Sequence, residues 1–270
     1  MNKLIRLSPT GIEYGDYAWN FASGCGNQVD GKCRSGGFRC WAYSISQRFG
    51  GHYPNGFEPT IYPEAFYSPL YLKKPSRILC AFMGDLFWDC PEFDPVEGQG
   101  QYGEDEHGFF TLMGRLYDTI EKCPQHTFLF LTKQPQKLPQ WSPFPDNCSV
   151  GVTATDDSTM INAIKYLKGI VAGVKYINLE PYLQYINSYW MDVMLKDAGI
   201  KQLIIGAQTR PAIMPEIEWV REIIEVADKA GVPVFLKNNL RWPQVTADGS
   251  PPFYRKDKSG TWVLRQEMPV

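Results

Sequence analysis

The chain lacks any uninterrupted apolar run of signal-peptide or membrane-spanning length. Its opening stretch, MNKLIRLSPTGIEYGDYAW, is broken by charge and glycine, and nowhere do about 18 apolar residues follow one another. It therefore reads as cytoplasmic, with no membrane partner. An excess of either charge is also lacking: 27 Lys and Arg stand against 29 Asp and Glu, a net charge of -2. With 44% hydrophobic and 21% charged residues, that is the profile of an ordinary globule without a broad electrostatic footprint for nucleic acid. Histidine is scarce, and His52, His107 and His126 are scattered. HExxH, GxSxG and Walker patterns are missing, which removes zinc-peptidase, serine-hydrolase and P-loop chemistry. The cysteine count of seven is odd. Without a secretion signal, that argues for reduced thiols rather than a disulfide framework.

What is present is alternation. Short apolar runs bounded by turn residues recur: YAWNFASG near the start, then RILCAFMGD, TFLFLTK, CSVGVTAT, VKYINLEP, QLIIGAQT and VPVFLKN. Each is too short and continuous for an amphipathic helix and suits a strand buried on both faces. Between them lie helical patterns. FFTLMGRLYDTIEKC repeats apolar residues at Phe110, Met113, Leu116, Tyr117 and Ile120; MINAIKYLKGI does so at Ile161, Ile164, Leu167 and Ile170; PEIEWVREIIEVADKAG ends at Gly231. Strands alternating with helices indicate parallel β/α units. The expectation is one α/β domain over residues 1–270, a full or partial β/α (TIM-like) barrel of about seven parallel strands, chosen over an open doubly wound sheet. Three segments fall outside the rhythm: a cysteine loop at 23–43, an acidic insertion at 89–108, and an irregular tail at 238–270 with a terminal hairpin.

Parallel β/α folds place ligands at the carboxyl ends of their strands, so the residues closing each run carry the functional information. Here they include Asp85, Lys133, Thr153, Thr155, Glu180, Gly206, Gln208, Lys237 and Asn238. Glu180 is the most telling, since a carboxylate directly after a buried run needs a partner or a ligand. A salt bridge to Lys133 or Lys237 is its structural alternative, and both lysines and Asn238 are candidate substrate contacts. Two basic groups, Lys73, Lys74 and Arg77, and Arg255, Lys256 and Lys258, could touch phosphates or be solvated charge. Cys80, Cys123 and Cys148 sit in apolar surroundings where cysteine acts as a small buried hydrophobe.

The segment SGCGNQVDGKCRSGGFRCWAY gathers Cys25, Cys33 and Cys40 into one glycine-rich loop. Four thiolates close a structural site, whereas three leave one coordination position open. By spacing alone the loop fits an iron-sulfur cubane with one free iron or a zinc with His52 as fourth ligand. The zinc alternative would make the protein a non-catalytic binding module.

Three clustered cysteines at a first-strand end, the last followed by an aromatic, resemble the radical S-adenosylmethionine superfamily. More closely, the chain resembles an uncharacterised, phage-associated three-cysteine family at that superfamily's edge. The matching stretches are WNFASGC (19–25), CWAYSISQRFGG (40–51), MGDLF (83–87), PQHTFLFLTKQP (124–135), GVTATDD (151–157), LEP (179–181), IIGAQT (204–209) and GVPVFLKNN (231–239). One departure is plain: the second and third cysteines are usually two residues apart, and here RSGGFR separates them. The resemblance implies that Cys25, Cys33 and Cys40 hold a 4Fe-4S cluster and that S-adenosylmethionine chelates the fourth iron. Asp85 would receive its methionine amino group. Thr153, Thr155 and Glu180 would lie near the ribose and methionine portions, and Gly206 and Gln208 near the adenine. An electron from a reductant protein would then release a 5'-deoxyadenosyl radical. Its target would be a small molecule, a nucleotide or a nucleic-acid base.

Overall fold

All seven apolar runs form strands in the computed structural model, which describes residues 4–96, 111–240 and 253–269. They are β2 (Tyr17–Trp19), β3 (Arg77–Cys80), β4 (Thr127–Thr132), β5 (Cys148–Thr153), β6 (Val174–Leu179), β7 (Gln202–Ile205) and β8 (Val234–Leu236). A strand that the sequence pattern does not announce, β1 (Leu7–Pro9), pairs antiparallel with β2. The chain is thus mixed α/β with a large, mostly parallel sheet of eight strands.

Two compact units divide it. The first takes residues 1–150 and 170–173, the second residues 151–169 and 174–270. In the first unit the strands follow in chain order, with β2, β3 and β4 parallel. Its core is aromatic: Trp19 lies 4.5 Å from Phe21 and 5.8 Å from Phe128, centroid to centroid, and donates from Nε1 to the Ala65 carbonyl at 2.8 Å. In the second unit β6, β7 and β8 are parallel and again in chain order. A doubly wound sheet reverses its strand order at a switch point. Neither unit shows such a reversal.

Among the described residues the helices of seven residues or more are α1 (Trp41–Arg48), α2 (Leu112–Glu121), α3 (Asp157–Lys168), α4 (Met191–Asp197) and α5 (Ile217–Ala230). α3 begins in a capping box: the Asp156 carboxylate accepts from the Thr159 amide at 2.8 Å, and the Thr159 hydroxyl oxygen accepts from the Asp156 amide at 3.1 Å. Its buried stripe is Met160, Ala163, Ile164 and Leu167, while Ile161 is 57% exposed. The expected face is corrected here by one position, because Met160 and Ala163 complete the i, i+3, i+4, i+7 spacing that Ile161 breaks. α5 stops at Gly231, whose φ of 70° gives the left-handed cap expected there. The terminal hairpin forms between Tyr254–Lys256 and Trp262–Leu264. Residues 97–108 of the acidic insertion, and residues 241–252 and 270 of the tail, lie outside the described residues.

Candidate functional site

In the first unit the chain leaves β2, pairs briefly at Ala22–Ser23 with Thr60–Ile61, and reaches Gly24. There it runs against the end of β3 at Gly84, with no room for a side chain on either. A Cβ at Gly84 would sit 2.2 Å from the Gly24 carbonyl oxygen, and one at Gly24 2.2 Å from the Glu58 carbonyl oxygen. Gly24 donates its amide to Met83 O at 3.1 Å, and Asp85 donates to Gly24 O at 3.3 Å. This backbone contact puts Cys25 in the electrostatic field of Asp85.

The rest of the cysteine loop is two linked hairpins. Gln28–Val29 pairs with Lys32–Cys33 across Asp30 and Gly31, at φ 50° and 74°. Positive φ at both positions is the type I′ turn that Asp-Gly favours. Cys33 then donates to Phe38 O at 2.8 Å, Gly37 donates to Cys33 O at 2.8 Å, and Lys32 bridges to Arg39. Cys40 donates to Gly31 O at 2.8 Å and becomes the N-cap of α1.

Each thiol receives an N–H. The Asn27 amide points at Cys25 Sγ (3.3 Å), the Asn27 side chain at Cys33 Sγ (3.9 Å), and the Tyr43 amide at Cys40 Sγ (3.4 Å). Hydrogen bonds to sulfur stabilise thiolate and tune cluster potentials. Asn27 is buried, and its side chain also donates to Ser35 at 2.7 Å. Burial pushes the Cys25 thiol up to about 12, and Asp85, Cys33 and Cys40 add to the shift. Burial also raises Cys40, with Cys33 adding and Lys133 opposing. Without a metal these two thiols stay protonated at neutral pH, whereas metal binding displaces the protons. Among the described residues no three His, Cys, Asp or Glu side chains converge closely enough for one metal ion, so His52 joins no such group. A cubane spaces its thiolates further apart than one ion does. Three soft sulfurs on one loop, each facing a donor, are a donor set that fits it.

Asp85 is 7% exposed and heavily engaged. It accepts from the Thr132 hydroxyl at 2.7 Å, the Lys133 amide at 2.9 Å and the Phe87 amide at 3.1 Å, tying the ends of β3 and β4 together. Burial raises its pKa against these hydrogen bonds. The Lys133 ammonium lies 5.7 Å from the centroid of Phe38 in the cysteine loop.

In the second unit, Glu180 pairs with Lys237 at 2.5 Å across β7. Gly206 makes this possible, since a Cβ there would stand 3.0 Å from Lys237 and 3.1 Å from Glu180. The Asn239 side chain donates to the same Glu180 Oε1 at 3.2 Å and to Ala207 O at 2.9 Å, and accepts from the Ala207 amide at 3.1 Å. Both contacts fall on Oε1. Thr153 and Asn178 are 4% and 2% exposed, and Thr153 Oγ1 and Asn178 Oδ1 have no hydrogen-bond partner among the described residues. They belong to adjacent strands, as the Ala154 amide donates to Asn178 O at 3.0 Å. Buried polar atoms left open in this way ask for water or a ligand.

Other expected residues are engaged locally. Thr155 donates its amide to Thr159 and its hydroxyl to Asp156, within the α3 cap. Gln208 donates to Pro211 O at 2.9 Å inside a small hairpin, and Asn238 accepts from Gln266 at 3.1 Å. Arg77 pairs with Asp16, and Arg255 with Asp228 and Glu267. Sequence reasoning missed Asn27, Asn178 and Asn239. Asn178 carried a direct signal, a polar residue inside a mostly apolar run, and Asn27 an indirect one through the Asp30-Gly31 turn.

Fold and site together define a mixed α/β protein with a three-thiol loop after its first parallel strand. Residues 106–262, more than half of the chain, match the family DUF5131, described as a protein of unknown function, and the chain belongs to that family. The matched region begins after the cysteine loop. No curated protein matches the chain. Among solved structures, "Spore photoproduct lyase complexed with dinucleoside spore photoproduct" is similar at 12% identity and a TM-score of 0.45, over 96% of this chain and 71% of that one. No helix among the described residues is long and apolar enough to cross a membrane.

Proposed function

We propose that the protein is a radical S-adenosylmethionine enzyme built on a single partial β/α barrel, acting on a nucleotide or nucleic-acid base. The observation that carries this reading is the loop itself: three thiols held by two hairpins and a helix cap, each facing an N–H, beside a buried carboxylate. Cys25, Cys33 and Cys40 would hold a 4Fe-4S cluster, which with S-adenosylmethionine supplies one-electron cleavage of the sulfonium and a 5'-deoxyadenosyl radical for hydrogen abstraction.

The chain's own residues do the positioning. In the first unit, Asp85 would receive the methionine amino group on its Oδ2, which has one hydrogen bond against two on Oδ1. Asn27 orients two thiols at once. In the second unit, the open Thr153 hydroxyl and Asn178 carbonyl would take ribose hydroxyls, and Glu180 would offer the Oε2 that Lys237 and Asn239 leave unused. Gly206 and Gln208 would border the adenine. Apolar packing by Ala42, Phe57 and Met83 against Cys25 and Cys40 partly shields these two thiols from water.

The test is electron paramagnetic resonance of anaerobically reconstituted, dithionite-reduced protein, with and without S-adenosylmethionine. A reduced-cluster signal that changes on adding the cofactor is expected, and Cys33→Ala should not assemble the cluster. Stoichiometric zinc without labile sulfide would overturn the reading and leave a zinc-stabilised binding module.

A further inference from the structure

The outer side of the cysteine loop carries a run of cations with no acid among them. Residues 31–57 contain Lys32, Arg34, Arg39 and Arg48 and no acid, in a protein whose net charge is -2. All four cations are exposed. None has a carboxylate partner among the described residues: Arg39 donates to the Ser44 hydroxyl at 3.2 Å, and Arg48 lies 5.2 Å from the ring of its neighbour Phe49. Elsewhere Arg6, Arg77, Lys122, Lys137, Lys168, Lys237, Arg255 and Arg265 reach carboxylates, while cations such as Lys74, Lys196 and Lys229 have no ion pair among the described residues, so it is the clustering without any acid that sets the loop apart.

Three of the four are linked on one surface, and Arg34 is exposed in the turn of the same hairpin. Lys32 and Arg39 bridge across the hairpin, and like charges facing each other on a ladder are destabilising. Arg39 reaches Ser44 on α1. Trp41, Ser44 and Arg48 follow at i, i+3 and i+7, so they share one helix face. Trp41 is 51% exposed on that face and Phe49 44% exposed just beyond it. Repelling cations beside exposed flat rings fit a polyanion that also offers rings to stack on.

We propose that this face binds a single-stranded nucleic acid: phosphates on Lys32, Arg34, Arg39 and Arg48, and a base on Trp41. The strand would deliver the target base beside the cysteine loop, a role that rests on the enzymatic reading above, whereas the binding itself does not. An acidic peptide would satisfy the cations but not the stacking ring, and a duplex hides its base faces; an anionic membrane is distinguished by the vesicle arm of the test.

Fluorescence anisotropy of a labelled 12-nucleotide single-stranded oligonucleotide on the reconstituted protein tests this. Four phosphate contacts give a salt slope of about -2.8, or roughly 50-fold weaker binding between 50 and 200 mM salt. Arg34→Gln should lower the slope by about 0.7, and Trp41→Ala should weaken binding about 5- to 150-fold. The cluster signal and its response to S-adenosylmethionine, measured on each variant, show that the loop is intact. An Arg34→Gln or Lys32→Gln protein that binds as wild type with an intact cluster overturns the proposal. So does equal, equally variant-sensitive binding of a polyglutamate peptide or of anionic phospholipid vesicles. Oligonucleotide binding by a protein that assembles no cluster removes the radical mechanism and leaves this surface standing. A cofactor-responsive cluster with no oligonucleotide binding does the reverse.

Discussion

The contact of Gly24 with Gly84 is the hinge of the candidate site, and substitution by alanine measures it. Gly24 has φ +86°, a conformation that costs an L-residue about 1–2 kcal/mol. Its new Cβ would also meet the Glu58 carbonyl oxygen at 2.2 Å and the Phe57 carbonyl oxygen at 2.7 Å, backbone atoms that cannot swing aside. Relieving that overlap breaks the bonds from Gly24 to Met83 and from Asp85 to Gly24, each contributing about 0.5–1.5 kcal/mol. The total for Gly24→Ala is about 2–5 kcal/mol. Gly37 provides the control, because its φ is +69° and a Cβ there meets nothing within 4 Å. Gly37→Ala should therefore lose only the conformational part, about 1–2 kcal/mol. Gly84 has no positive φ, so Gly84→Ala should lack the conformational part and lose about 1–3 kcal/mol through the same two bonds, and the double variant should cost less than the sum. Urea unfolding with matched m-values gives the free energies, and iron and sulfide analysis gives cluster yield. Equal losses for Gly24→Ala and Gly37→Ala, with full cluster yield in both, would refute the close approach as the cause of site geometry.

Three further outcomes follow from other contacts. Glu180→Gln should destabilise by about 1.5–3 kcal/mol through loss of a charged hydrogen bond to Lys237, and adding Lys237→Met should recover part of it; urea unfolding of the cycle checks this. Asp156→Ala removes the α3 cap and should cost about 0.5–2 kcal/mol by the same measurement. His126 is buried and bonded from Nε2 to Leu72 O at 2.8 Å, and burial lowers its pKa. Its folded value therefore lies below the unfolded value of about 6.5, so its stabilisation is present above that pH and lost as pH falls through the folded value. Stability of the wild type should decline from pH 7 toward acid more steeply than that of His126→Gln, and identical slopes would refute the assignment.

Strands were legible because they are buried on both faces. In β5 all six residues are buried, and no helix leaves so continuous an apolar record. β1 was not legible: only Leu7 of its three residues is buried, and Pro9 disguises an edge strand as a turn. The Glu180–Lys237 pair was foreseen as one of two alternatives, since a carboxylate after an apolar run demands a partner. Asn239 was not, because nothing local distinguishes it from Asn238, and its bond to Glu180 joins residues 59 apart in the chain. Asn27 was hidden for a related reason. Its role depends on a hairpin bringing Cys33 back to it, and the Asp30-Gly31 turn that does so is a readable signal.

The loop's second hairpin, closed by Cys33 and Phe38, explains how six residues between Cys33 and Cys40 suit a loop whose resembling families use two. Lengthening such a connection from two residues to six costs about 1 kcal/mol in closure entropy if the segment is unstructured. Here it is folded on itself. The bonds from Cys33 to Phe38 and from Gly37 to Cys33, each contributing about 0.5–1.5 kcal/mol, offset that cost. The Lys32–Arg39 bridge fixes the base of the hairpin at the cross-strand spacing of about 4.5–5.5 Å. Cys33 and Cys40 flank that antiparallel bridge diagonally, Cys33 opposite Phe38 and Cys40 opposite Gly31, so the ladder, not the number of residues between them, sets their separation. The additional residues project outward and carry Arg34 and Arg39. The same insertion that lengthens the cysteine spacing thus supplies two of the four cations on the loop's outer face.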